Sequence, residues 1–143
     1  MTQLHDTSKV DREPPIPLSY TKPFWEGTRQ KKLLLQFDKR NNKYQFYWRP
    51  VSIYDGLGDL EAREAEGTGE IFTFTIATRA RPPFQGHEPF GIAVVTLKEG
   101  VNIMANVINC ASEDLRIGLP VKLCWLPLKN GTYLPAFEPK DNP

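Results

Sequence analysis

The strongest constraint on the fold is the spacing of strand-like runs in the second half of the chain. Five segments rich in β-branched and aromatic residues follow one another at 70–80, 91–98, 101–109, 121–126 and 132–137. The first alternates Ile71, Thr73, Thr75 and Ala77 with Phe72, Phe74, Ile76 and Thr78, the period-two pattern of a strand with two different faces. Turn chemistry separates the runs. A Pro-rich stretch occupies 81–89, Glu99-Gly100 divides the second run from the third, and Lys129-Asn130-Gly131 marks a hairpin before the last. Ser112 to Leu115 has the character of a single helical turn inserted before that hairpin.

Short strands joined by short turns, with mostly antiparallel pairing, close into a small barrel and so remove their edges. The insertion before the last hairpin favours an OB-fold over a sandwich. A chain of 143 residues corresponds to about one domain and has enough length to bury a core without staples. Upstream, residues 1–19 read as a flexible arm, since Pro14, Pro15 and Pro17 cannot sustain a helix. A short helix is expected over 22–30, with Thr21 as N-cap, Pro23 in the first turn and Glu26 near the positive end of the dipole. Strand signals at 33–37 and 44–48 flank the polar turn 38–43, which predicts a hairpin; a second polar elbow spans 52–59.

The charge balance is 18 Lys plus Arg against 17 Asp plus Glu, net +1, which removes the global field of a dedicated nucleic-acid or anionic-membrane binder. Locally the balance breaks. Residues 22–49 combine Lys22, Arg29, Lys31, Lys32, Lys39, Arg40, Lys43 and Arg49 with seven aromatic side chains, and 55–70 is an acidic stretch. Basic plus aromatic suits single-stranded nucleic acid and equally a phosphorylated, adenine-bearing cofactor such as coenzyme A; packing of the rings onto the barrel is the third reading. The apolar runs are too short to span a bilayer and no signal peptide is evident, so a cytoplasmic protein without a membrane partner is expected.

Catalytic constellations are missing. The histidines are His5, in the arm, and His87, in the Pro-rich loop; no Gly-x-Ser-x-Gly elbow and no phosphate-cradling Gly-rich loop occurs. Cys110 and Cys124 lack a nucleophile context, and Cys124 beside Trp125 reads as buried and inert.

The motif order resembles a known family. Pro23-Phe24-Trp25-Glu26-Gly27, then Leu33-Leu34-Leu35-Gln36, Tyr44-Gln45-Phe46 and Arg49-Pro50-Val51, followed by 67–75 and by 113–121, is similar to the zinc-ribbon plus OB-fold proteins associated with acyl-CoA metabolism, a domain family of unknown function. The resemblance spans about residues 20–139. It implies two C-x-x-C knuckles, whose positions here hold Asp38, Asn41, Ser52 and Asp55. Oxygen ligands suit a structural zinc poorly, so a ribbon-like hairpin without metal is expected, held by the packing of Phe37, Tyr44, Phe46 and Trp48.

The combined expectation is a mainly β chain: an arm at 1–19, a helix and metal-free zinc-ribbon-like (rubredoxin-like) hairpin at 20–60, an OB-fold five-stranded barrel at 61–139 and a tail at 140–143. The resemblance implies a non-catalytic accessory subunit of a thiolase-like or aldolase enzyme acting on acyl-CoA thioesters, able to contact coenzyme A and needing no cofactor of its own. Single-stranded nucleic-acid binding is the alternative, and homo-oligomerisation is left open. From their chemistry, Lys31, Lys32, Arg49, Arg79 and Arg81 with Trp25 are the candidates for a phosphorylated ligand; Phe24, Trp48, Phe84 and Phe90 are candidate apolar contacts.

Overall fold

A computed structural model describes residues 2–141. One helix, α1 (Lys22–Arg29), precedes eight strands: β1 (Leu34–Asp38), β2 (Lys43–Gln45), β3 (Leu60–Glu64), β4 (Thr68–Ala77), β5 (Phe90–Leu97), β6 (Asn102–Val107), β7 (Pro120–Pro127) and β8 (Tyr133–Pro139). The last five close a barrel in the order β4-β5-β6-β8-β7. β4 pairs β7 through Thr68↔Lys122, Gly69↔Val121 and Glu70↔Pro120, and β6 meets β8 in parallel at Val107↔Phe137. That order, with the single parallel contact and a 3-10 turn at Ser112–Asp114 between β6 and β7, is the OB-fold. Gly131 lies in the left-handed region at φ 84°, as the Asn-Gly turn between β7 and β8 requires.

Alternation drives the barrel shut. Along β5, Ala93, Val95 and Leu97 are buried while Ile92, Val94 and Thr96 are half-buried; along β6, Ile103, Ala105 and Val107 point inward. With Ile71, Val121 and Phe137 they form a core that continues without a break into Phe24, Leu33 and Leu35. Helix, hairpin and barrel therefore share one hydrophobic interior.

Three features depart from the sequence-based expectation. First, β3 pairs with β1 rather than the barrel, from Leu34↔Glu64 to Asp38↔Leu60, making a three-stranded sheet β2-β1-β3. The charge of the 61–64 stretch hides it, and Arg63 completes the pairing by laying its guanidinium 3.5 Å from the centre of the Phe37 ring. The barrel accordingly begins at Thr68. Second, the opening residues are docked. Leu4, Thr7 and Val10 are buried, Gln3 bridges Ala111, and the Leu4 and His5 amides donate to the Cys110 and Pro89 carbonyls at 3.0 and 2.7 Å. Three small contacts at every third residue were spread too thinly to register as a pattern. Lys129 Nζ then holds Asp11 and Glu13 at 2.7 and 2.8 Å. Third, β2 stops at Gln45, and the backbone beyond it is held by side chains, as described next.

Candidate functional site

Helix α1 is docked by its last turn. Thr28 Oγ1 donates to the Trp25 carbonyl at 2.6 Å and accepts from the Tyr133 amide at 3.3 Å, and Arg29 Nη1 donates to the Asn130 carbonyl at 2.9 Å. This sets Phe24 edge-on to Trp25 (4.9 Å between ring centres) and 5.6 Å from Phe46. Trp48 is fixed by its indole N–H, which donates to the Leu34 carbonyl at 2.8 Å. The Met104 amide donates to Tyr47 Oη at 2.9 Å, tying the hairpin's exit to β6. Between helix, hairpin and barrel these groups wall an apolar groove of about 330 Å³, with Pro15, Leu134 and Pro135 completing it and no charged residue in its lining.

Met104, 61% exposed, also borders a shallower hollow with Phe84, Phe90 and Ile92, in which the two phenyl rings stack at 5.1 Å. Arg12 covers Phe84 at 4.9 Å. Five of the ten residues singled out from the sequence thus lie on two apolar surfaces that meet at one methionine: Phe24, Trp25 and Trp48 in the groove, Phe84 and Phe90 in the hollow. The cations do not join them. Lys31 and Lys32 follow α1, with Lys31 Nζ over the Tyr133 ring at 4.9 Å; Arg49 sits on the hairpin exit; Arg79 and Arg81 are exposed in the β4–β5 loop. Sequence reasoning missed Tyr47 and Met104, which come together from segments 57 residues apart. The basic stretch is no open stacking platform either: Lys39 pairs with Asp59, Arg40 with Asp55, and Lys43 lies over Tyr54, while Phe24 is buried and Phe46 and Trp48 pack against the core.

The hairpin end carries the second arrangement. Asp38 Oδ1 accepts from the Arg40 and Asn41 amides at 2.9 and 3.0 Å; Oδ2 accepts from Asn41 Nδ2 at 2.8 Å and from the Ser52 hydroxyl. Asn41 Nδ2 donates again to Asp55 Oδ2 at 2.9 Å, and Ser52 Oγ accepts from the Tyr54 amide at 3.0 Å. These donors, the Ser52 hydroxyl first and then Asn41, hold the Asp38 carboxyl at about 2, below the ordinary 3.8. One step along β1 and β2, the buried pair Gln36 and Gln45 forms a further layer. Gln45 Nε2 donates to Gln36 Oε1 at 2.8 Å and to the Val51 carbonyl at 3.2 Å, and its Oε1 accepts from the Ile53 amide at 2.9 Å. Gln36 accepts from the Arg49 amide and donates to the Arg49 carbonyl, at 2.9 and 2.8 Å. The two glutamines thereby supply the partners that a neighbouring strand would have given to backbone 49–53.

The donor set does not fit a zinc ion. Asn41 presents N–H groups to both carboxylates, and the Asp38 oxygens already accept four donors. Among the described residues no cluster of three or more His, Cys, Asp or Glu side chains has metal-binding proximity. The thiols are quiet: burial raises Cys110, and burial followed by the nearby Glu138 charge pushes Cys124 up to about 12.

The comparisons with known proteins converge on this architecture. Residues 62–126 match the C-terminal OB-fold domain of ChsH2. A chain of the Ltp2-ChsH2(DUF35) aldolase structure superposes with a TM-score of 0.79 at 28% identity, covering 88% of this chain and 98% of that one. The chain is thus similar to DUF35 proteins over most of its length. A DUF35 domain-containing scaffold protein of Pyrococcus furiosus is 26% identical over 100 residues, 70% of this chain and 74% of that protein. A probable enoyl-CoA hydratase alpha subunit of Thermomonospora curvata is 31% identical over 118 residues, 81% of this chain but 36% of the subunit, so the chain spans about a third of that relative's length. A Sulfolobus solfataricus DUF35 protein shares the fold, with a TM-score of 0.62 at 11% identity. Among the described residues no helix is long and apolar enough to cross a membrane.

Proposed function

We propose that this chain is a non-catalytic accessory subunit of an enzyme that acts on acyl-CoA thioesters, with a thiolase-like or aldolase subunit as its partner. The observation that carries the reading is the fold match across nearly the whole of one chain of the Ltp2-ChsH2(DUF35) aldolase structure. The quiet thiols agree with a chain that does not itself turn over substrate. Docking is assigned to the apolar surface running from Trp25 and Trp48 through Met104 to Phe84, with Phe90 buried beneath the Phe84 ring. This surface exposes an unbranched, adaptable side chain at its centre, a property suited to protein contact. Contact with coenzyme A has weaker support, since Lys31, Lys32, Arg49, Arg79 and Arg81 lie on three separate segments and the groove has no charged wall.

The test is co-purification of the tagged chain from its native source with identification of the bound protein. The proposal expects a thiolase-like or aldolase subunit, and expects Met104→Glu, an exposed change that spares the core, to abolish its recovery. Recovery of the bare chain alone, or full partner recovery by the Met104→Glu chain, would count against it.

A further inference from the structure

The disagreement between the hairpin's side chains and a metal site points to a different fastener. Two turns must be held together at this end: 38–42, between β1 and β2, and 52–57, which precedes β3. Neither is long enough to bury a core of its own, and the exposed residues Val51, Ile53, Tyr54 and Leu57 show that the second turn contributes little apolar packing. What joins them is polar and self-satisfied. The Asp38–Ser52 hydrogen bond and the Asn41–Asp55 hydrogen bond of 2.9 Å both cross from one turn to the other. Arg40 Nε reaches Asp55 Oδ2 at 3.4 Å along the same route. The second turn then closes on itself, the Ser52 amide donating to the Leu57 carbonyl at 2.8 Å and the Gly56 amide to the Ser52 carbonyl at 3.0 Å. Beneath this lies the Gln36–Gln45 layer, both side chains at least 95% buried and each with partners on its oxygen and its nitrogen.

We propose that this two-layered hydrogen-bonded core, Gln36 and Gln45 beneath Asp38, Asn41, Ser52 and Asp55, performs the mechanical work of a structural metal and makes the hairpin independent of any ion. The chemistry is consistent throughout. The Asp38 oxygens accept four donors, the Asn41 amide turns N–H groups to both carboxylates, and the Ser52 hydroxyl donates inward while accepting from an amide, so donors stand where a metal would need acceptors. A site awaiting a metal would instead present converging acceptors with no donors among them.

The experiment uses the full chain purified without chelator. Elemental analysis is expected to find no stoichiometric zinc or iron, and EDTA is expected to leave the unfolding midpoint unmoved; stoichiometric metal or a midpoint that falls on chelation overturns the proposal. Asn41→Ala supplies the positive arm, because Asn41 is exposed and its loss spares the hydrophobic core. The reporters are the Ser52 and Gly56 amides, whose partners are backbone carbonyls that the substitution does not touch. Their hydrogen exchange is expected to accelerate at least tenfold, with no change at the Val95 amide in the barrel. Exchange at Ser52 and Gly56 equal to that of the parent chain in an Asp38→Ala, Asn41→Ala double variant, which loses both cross-turn hydrogen bonds, would show that the turns hold without the cross-ties, and would overturn the proposal equally.

Discussion

Gln45→Met isolates the contribution of the buried glutamine layer. Methionine matches the volume and length of glutamine, so the substitution removes hydrogen bonds with little change in packing. It leaves the Val51 carbonyl and the Ile53 amide without partners, and leaves Gln36 Oε1 with only the Arg49 amide. A buried polar group deprived of its partner costs about 1–3 kcal/mol, and Val51 and Ile53 are exposed enough for water to recover part of that. The expected destabilisation is about 2–4 kcal/mol, against the ~5–15 kcal/mol total of an ordinary domain. For a chain near 150 residues, that lowers Tm by roughly 5–15 °C. Urea denaturation followed by tryptophan fluorescence is well placed to read it, since Trp25 and Trp48 flank the hairpin. Gln45→Glu, which turns a donor toward Gln36 Oε1 into a second acceptor, is expected to be at least as damaging. A Gln45→Met chain within about 0.5 kcal/mol of the parent would refute the reasoning, because that is the scatter of neutral surface substitutions.

Three further outcomes follow from the same structure. A Cβ on Gly69 would run into the Thr96 carbonyl oxygen and come within 3.1 Å of Leu97 Cα, where β4 is hemmed between β5 and β7; Gly69→Ala should cost about 1–3 kcal/mol in denaturant titration, and a neutral result would mean that the barrel seam is looser than described. Both thiols are shifted away from thiolate, so Ellman's reagent at pH 8 should label the folded chain far more slowly than the unfolded one, whereas a rapid stoichiometric reaction would contradict the burial of Cys110 and the half-burial of Cys124. The Asp38 carboxyl is depressed from 3.8 to about 2, so its contribution to stability is fully present above about pH 4 and is lost as pH falls toward 2. The parent's denaturation midpoint should fall across that window more steeply than that of Asp38→Asn, and parallel curves would contradict the assignment.

The barrel was legible in the sequence because each strand carries its own evidence. Alternation in 70–80 and the turns at Glu99-Gly100 and Asn130-Gly131 locate β4 to β8 without reference to the rest of the chain. The helix was legible from Pro23 for the same local reason, although the Thr21 hydroxyl caps no helix amide and bonds the Leu18 backbone instead, and Glu26 lies beyond the first turn. What stayed hidden depends on partners distant in sequence. β3, with Glu61, Arg63 and Glu64, has no strand-like composition and exists because β1 offers it an edge and Phe37 offers its arginine a ring. Gln36 and Gln45 stood inside motifs that looked familiar, but that they pair with each other and then with backbone 49–53 is a matter of register, Gln36↔Gln45, which composition does not display. The hairpin was expected to rely on aromatic packing. The aromatics do pack, Phe37 against Tyr44 at 4.9 Å, but hydrogen bonds tie the two turns. At the candidate site, Phe24, Trp25 and Trp48 were visible as a dense aromatic cluster, whereas Met104 is one exposed residue on β6 that acquires meaning only because the groove and the hollow meet there.

The most direct test of the central claim is the native mass of the assembly that the tagged chain forms in its own source, measured together with acyl-CoA turnover by that assembly and by the isolated chain. The account predicts a stoichiometric complex with a thiolase-like or aldolase subunit, turnover by the complex, and none by this chain alone. A mass corresponding only to copies of this chain, or turnover of an acyl-CoA thioester by the isolated chain, would contradict it.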